Sequence, residues 1–218
     1  GRREMLEWCD KAYDHVQELD KEFSDWLCVP RSVRTTSIKP SGTVSLLNGS
    51  TPGIHYPEAE YYIRRIRFSV GNVILKAIEE AGYHVEKDAY SPNTMVASFP
   101  VHEPFFQKGK SEATMWEQLE IAAAYQHYWA DNSVSVTVTF NGDEAKDIKT
   151  ALEMYESRLK AVSFLRFQET GYEQAPYEPI TKEQYEEMSK NITPIDRIET
   201  EEQGAGTVFC DGDSCEIV

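Results

Sequence analysis

Two short stretches of this sequence carry residue types that do chemistry. The first is Pro40-Ser41-Gly42-Thr43-Val44-Ser45, preceded by Arg34-Thr35-Thr36-Ser37-Ile38-Lys39. It reads as a β-branched strand running into a turn and then into the mouth of a helix. Free backbone N–H groups at the positive end of a helix make such a junction a natural seat for a phosphate. The charge map agrees: from Trp26 to Pro57 there is no Asp or Glu, whereas Arg31, Arg34 and Lys39 fall there, in a chain of formal net charge -15. An acidic chain that clears its acids from one segment keeps that segment for an anion. The Walker spacing G-x-x-x-x-G-K-[ST] is absent, and Ser and Thr also serve as plain helix caps.

The second stretch is Cys210 and Cys215, enclosing Asp211-Gly212-Asp213-Ser214. A spacer of this length with a Gly in it lets two Cα atoms reach the ~4.4–6.8 Å that a disulfide needs. So small a ring gains little loop-closure stabilisation, which favours a dithiol shuttle over a structural bridge. Residues 191–218 hold no His or further Cys to complete a zinc site. An incidental pair of free thiols is the competing reading. Cys9 and Cys28, among Trp8, Trp26, Leu27 and Val29, read as small buried hydrophobes.

The remaining chain must position these stretches. With 218 residues, 40% hydrophobic and 11% aromatic, it is long enough for a substantial core. No run of eighteen or more apolar residues occurs and the first residues lack a signal peptide, so a cytoplasmic setting is expected. The acidity argues against nucleic-acid and membrane-surface roles, both of which want a basic face.

Residues 4 to 29 have helical spacing of Met5, Trp8, Ala12, Val16, Leu19, Phe23 and Trp26, ended by Pro30. The helix starts without a capping residue, which suggests a larger protein divided upstream. Tyr61 to Phe68 reads as a strand and Val70 to Ala81 as a helix closing at Gly82. Arg64, Arg65 and Arg67 either extend the cationic patch or, the favoured reading, form a solvated face that pairs with Glu79, Glu80 or Glu58. Thr94 to Pro100 is a strand, Glu112 to Trp129 a helix, and Ser133 to Phe140 alternates as a strand should. Asp143 caps a helix from Glu144 to Arg158, and Ala161 to Phe167 is the last strand. Strands alternating with helices argue for an α/β fold with parallel strands and crossover helices. Thr181 and Gln184 make a capping box for a short helix to Ser189. Residues 1–190 thus form the body, and 191–218, acidic and poor in aromatics, a mobile tail.

Taken together, the Pro-Ser-Gly-Thr-Val-Ser loop at 40–45, the Tyr-Ile-Arg-Arg segment at 62–65 and the Cys-x-x-x-x-Cys pair near the end resemble the C-terminal part of ribonucleotide reductase. The resemblance is closest to the adenosylcobalamin-dependent (class II) type acting on ribonucleoside triphosphates. It implies the C-terminal portion of a ten-stranded α/β barrel, with Ser41, Gly42, Thr43 and Val44 on the phosphates of a ribonucleoside tri- or diphosphate. It implies that Cys210 and Cys215 relay electrons from thioredoxin or a similar reductant to an active-site disulfide. Diiron-dependent relatives place a radical-transferring Tyr-Tyr pair where this chain has Ser163 and Phe164, a departure that suits cobalamin. The family's thiyl-radical cysteine and its neighbouring Asn and Glu precede the phosphate loop by well over a hundred residues, and only about thirty are present here. An N-terminal remainder must supply them along with most of the cobalamin contacts, so the chain is expected to be inactive alone and to expose apolar surface that the remainder covers. A stand-alone thiol redox protein and a nucleotide-phosphate-binding α/β module are the alternatives.

Overall fold

The computed structural model describes residues 1–39, 45, 50–167 and 173–195. The apolar spacing near the N-terminus produces helix α1, Arg2–Leu27. It ends two residues before Pro30's neighbour Val29 turns away, with Cys28 as a left-handed cap at φ 54° and Val29 N–H donating to Ser24 O at 3.0 Å. Of its residues only Ser24 is buried. Trp8 is 66% and Trp26 76% exposed, and Phe23, Leu27 and Val29 are exposed as well.

Strand β1 (Tyr61–Ser69) pairs with β3 (Thr94–His102) along its whole length, Tyr61 opposite His102 and Ser69 opposite Thr94. β2 (His84–Lys87) joins the far side of β3, and β6 (Tyr177–Pro179) joins β1, giving the order β2-β3-β1-β6 with every pair antiparallel. Helix α2 (Val73–Glu80) connects β1 to β2; the Asn72 side chain caps it by accepting the Ile74 N–H at 3.0 Å. Gly82, at φ 90°, closes the turn behind it, and a Cβ there would stand 2.5 Å from Asn191 O, so residues 191–192 pack directly on this glycine.

The second sheet is the pair β4 (Thr137–Phe140) and β5 (Ser163–Arg166), which run parallel. Between them a 3-10 turn at Glu144–Asp147 leads into α4 (Ile148–Tyr155), the crossover that a parallel pair requires. Helix α3 (Met115–Tyr128) covers this pair, and Met115, Leu119, Ala123, Val138, Ala151 and Tyr155 form the core between them. Helix α5 (Lys182–Ser189) begins with the expected capping box, Gln184 N–H donating to Thr181 Oγ1 at 3.3 Å and Thr181 N–H to Gln184 Oε1 at 2.8 Å.

The mixed α/β character is as expected, but the strand directions need correction. Among the described strands only β4 and β5 are parallel; in the larger sheet the six residues between β2 and β3 are too few for a crossover, and β1 pairs antiparallel with both β3 and β6. The expected last strand is followed by β6. Residues 133–136 lie outside β4, although their apolar alternation continues it. Asp143 makes no side-chain cap. Glu144 takes that place, accepting from Asn141 N–H and Met115 N–H at 2.9 Å each and so joining the turn to the start of α3.

The three arginines of β1 are not paired with Glu79, Glu80 or Glu58. Arg65 meets Glu178 at 2.5 Å and Arg67 meets Asp88 at 2.5 Å. Arg64 lies 4.4 Å from the Tyr177 ring centre and donates to Pro176 O at 3.1 Å, while Arg65 donates to Ala175 O at 3.0 Å. They knit β1 to the incoming β6 segment, which sequence proximity alone does not disclose. Cys28 is exposed rather than buried, since it sits past the last turn of α1; Cys9 is half-buried.

Candidate functional site

The candidate phosphate-binding residues Ser41, Gly42, Thr43 and Val44 lie outside the described residues, as do Cys210 and Cys215. The structure does describe what holds both flanks of the phosphate segment.

On the upstream flank, residues 34–38 run extended beside the loop that follows α3. The Asp131 carboxylate accepts the Thr35 N–H at 2.8 Å and its hydroxyl at 3.1 Å through Oδ2, and the Tyr13 hydroxyl at 2.8 Å through Oδ1. These bonds, led by that from the Thr35 N–H, hold the Asp131 carboxyl below the usual carboxylate range. Thr36 Oγ1 donates to Trp129 O and accepts the Asp131 N–H at 3.1 Å. Gln17 on α1 donates to Thr35 Oγ1 at 2.7 Å, and Arg34 to Asn132 Oδ1 at 2.9 Å. The backbone continues the pattern, with Asn132 N–H donating to Thr36 O and Ser135 N–H to Ile38 O, both at 3.2 Å. This is a strand-like neighbour for residues 132–135, close to the β-branched strand expected there.

On the downstream flank, His55 is the anchor. Its Nε2 accepts the Thr137 N–H at 3.1 Å and its Nδ1 lies 2.9 Å from Pro52 O. With Nε2 accepting this N–H, Nδ1 is the nitrogen that donates to the Pro52 carbonyl.

Both anchors act on one edge of β4. Its bonds to β5 use the alternate residues, Val136 O accepting from Ser163 N–H and Phe140 O from Phe167 N–H. Residues 135, 137 and 139 therefore aim their N–H groups the other way. The Ile38 carbonyl, the His55 imidazole and the Gln118 amide receive them in turn, Gln118 accepting the Thr139 N–H at 2.9 Å and donating to Thr139 O at 2.9 Å. A loop carbonyl and two side chains thus close this edge in place of a further strand. Ile38 and Ile54 also pack on the Ala122, Ala130 and Val134 cluster, so each flank has both an apolar and a hydrogen-bonded attachment. Sequence reasoning missed His55 and Gln118, neither of which stands in a motif that would single it out.

No protein-family model matches the chain. It is 42% identical, along its whole length, to a Dictyostelium discoideum protein named as a probable adenosylcobalamin-dependent ribonucleoside-triphosphate reductase. It is 42% identical over 99% of its length to the adenosylcobalamin-dependent ribonucleoside-triphosphate reductase of Euglena gracilis. A crystal structure of a B12-dependent (class II) ribonucleotide reductase superposes on 88% of the chain with TM-score 0.80 and 35% identity. The chain is a homologue of part of the adenosylcobalamin-dependent ribonucleotide reductases. It spans about 30% of the length of the two curated relatives and 27% of the crystallised chain.

The relatives are named for adenosylcobalamin. A cavity of about 730 Å³ lies between α1, the C-terminal half of α3 and residues 157–160. Several of its polar groups are engaged with one another: Arg2 and Arg158 meet Glu120 at 2.8 and 2.9 Å, Tyr13 meets Asp131, and Lys160 donates to Asp131 O. Among the described residues no His, Cys, Asp or Glu cluster has the makings of a metal site, and no helix is long and apolar enough to cross a membrane.

Proposed function

We propose that this chain is the C-terminal portion of an adenosylcobalamin-dependent ribonucleoside-triphosphate reductase, supplying the substrate-phosphate loop and the electron-relay cysteines. Residues 1–190 form part of its α/β barrel and residues 191–218 its redox tail, in the cytoplasm. The observation that carries this reading is the 42% identity along the whole chain to reductases more than three times its length.

In the reaction proposed, the 2′-hydroxyl of a ribonucleoside triphosphate leaves as water and hydrogen takes its place. A pair of thiols on the remainder of the enzyme supplies two electrons and becomes a disulfide. Adenosylcobalamin, held by that remainder, supplies the means of making its cysteine thiyl radical. Ser41, Gly42, Thr43 and Val44 of this chain hold the phosphates through backbone N–H groups and hydroxyls. The tail pair then acts by thiol–disulfide exchange: a Cys210 or Cys215 thiolate attacks the disulfide, the disulfide passes to the tail, and thioredoxin returns the tail to the dithiol. The exposed Trp8 and Trp26 on α1 support a missing partner, since an apolar face of this kind calls for a cover.

The test is thioredoxin-coupled reduction of the oxidised chain, followed by NADPH consumption. About one NADPH per chain is expected from a two-electron couple, abolished by Cys210→Ser or Cys215→Ser. No consumption by the unsubstituted chain would remove the relay from the reading. The larger claim is checked by adding the N-terminal remainder with adenosylcobalamin and a ribonucleoside triphosphate, where deoxyribonucleotide should form only when both parts are present.

A further inference from the structure

We propose that the outer face of α1 is the seam for one α-helix with a basic flank, supplied by the part of the reductase that lies outside this chain; this rests on the reading of the chain as a C-terminal portion. Met5, Cys9, Ala12, Val16, Leu19, Phe23 and Trp26 follow one another at alternating intervals of four and three. At 3.6 residues per turn that spacing keeps all of them in one narrow stripe along α1. A helix lying on a globular core shows a broader apolar face. Strict alternation of four and three is the pattern of a helix packed lengthwise on another helix.

The body uses a different face. Tyr13 donates to Asp131, Gln17 to Thr35 and Arg2 to Glu120, Asp20 accepts the Ser32 N–H at 3.1 Å, and Ser24 is buried. Those residues centre about a quarter-turn round the helix from the stripe. The stripe itself holds no buried residue: Met5, Cys9 and Val16 are half-buried, and Ala12, Leu19, Phe23 and Trp26 are exposed. Toward its C-terminal end the Phe23 and Trp26 rings lie 6.2 Å apart at 47°. Beside its N-terminal half a recess of about 260 Å³ opens between Trp8, Cys9, Ala12, Tyr125 and Trp129, a hole for an apolar knob.

Charge selects the helix that fits. Glu18, Glu22 and Asp25, all exposed, run at the same four-three spacing along the border of the stripe away from the body. As a whole α1 carries eight acids against four bases. A second copy would set helices of one sign side by side, whereas a helix with Lys or Arg on its flank pairs with this row. The chain spans about 30% of the length of its relatives, so most of such an enzyme lies outside it and is available to supply that helix.

The experiment compares alkylation of introduced cysteines by iodoacetamide, read residue by residue in a mass spectrometer, in this chain and in the complete reductase containing it. Leu19→Cys and Trp26→Cys probe the stripe; Asp14→Cys, on the opposite side of α1, is the control. In this chain all three are expected to label at similar rates. In the complete reductase positions 19 and 26 should label at least about tenfold more slowly, with position 14 unchanged. Adding Glu18→Lys, Glu22→Lys and Asp25→Lys together should return positions 19 and 26 toward the rate in the chain alone. If positions 19 and 26 label as fast as position 14 in a complete reductase that forms deoxyribonucleotide, the docking claim is overturned while the reductase reading stands. If the complete protein forms no deoxyribonucleotide, that reading fails and this inference with it. Protection that appears only at concentrations where the complete reductase pairs, as read by sedimentation, gives the face to a second copy and overturns the proposal. Protection that the three lysines leave intact overturns the basic flank.

Discussion

Asp131 holds Thr35 by two bonds to one carboxylate oxygen, the main-chain N–H at 2.8 Å and the hydroxyl at 3.1 Å, across 96 positions of sequence. The other oxygen takes the Tyr13 hydroxyl of α1 at 2.8 Å. One side chain therefore joins the first helix, the segment leading to the candidate phosphate loop and the turn after α3. Asp131→Ala is expected to destabilise the chain by about 1–3 kcal/mol, because it leaves the Thr35 N–H unpaired as well as removing the bonds. Urea unfolding checks this; an unchanged midpoint would show that the junction is held by other contacts.

Acid should weaken the fold through a defined set of carboxylates. Thr35 N–H holds Asp131 low, Tyr90 N–H and Arg67 hold Asp88 low, Lys108 and Thr114 N–H hold Glu117 low, and Arg158 with Tyr155 holds Glu120 low. Their folded values lie below the ordinary 3.8 for Asp and 4.5 for Glu, so the native state binds fewer protons than the unfolded chain in that range. Their stabilisation is complete above the unfolded values and is lost as pH falls through the folded ones. The urea midpoint should hold steady from pH 7 to about 5 and drop between about 5 and 3. A midpoint that rises on acidification contradicts this assignment.

Gln118 is buried, and its amide satisfies both main-chain groups of Thr139. Gln118→Leu keeps the packing but orphans a buried N–H and C=O, at a cost of about 2–4 kcal/mol. Gln118→Glu retains the acceptor for the Thr139 N–H and loses the donor to Thr139 O. Thermal unfolding should rank the unsubstituted chain above both variants, and equal melting of all three would mean that the β4 edge is satisfied some other way.

The exposed apolar face of α1 should make the isolated chain self-associate. Sedimentation across a range of concentrations is expected to show oligomers that Trp8→Arg with Trp26→Arg reduces. The same pair should weaken capture of the N-terminal remainder. A strictly monomeric chain that the double substitution leaves unaltered would argue that this face needs no cover.

Much of the local structure was legible in the residues. The spacing from Met5 to Trp26 defined α1, and the Thr181–Gln184 capping box was visible as a motif because its partners are three residues apart. Short-range rules find short-range bonds. The strand directions were less accessible: alternation along 133–140 reports which face is buried but not which strand lies alongside. β2, only His84–Lys87, carries too brief a pattern to stand out. Acids nearby in sequence are the natural partners to expect for the arginines of β1, whereas their acceptors come from Asp88, just past β2, and from residues 174–178, brought in by β6.

By itself the sequence determined the α/β character, the long first helix and the kinship with adenosylcobalamin-dependent reductases, because composition, periodicity and short motifs are properties of contiguous residues. Only the tertiary structure decided which groups complete the open edge of β4. His55 and Gln118 lie 82 and 21 positions from the main-chain groups they serve. A hydrogen bond of a few ångströms has no sequence signature at such separations; it exists only once the packing of Ile38, Ile54 and α3 has brought donor and acceptor together.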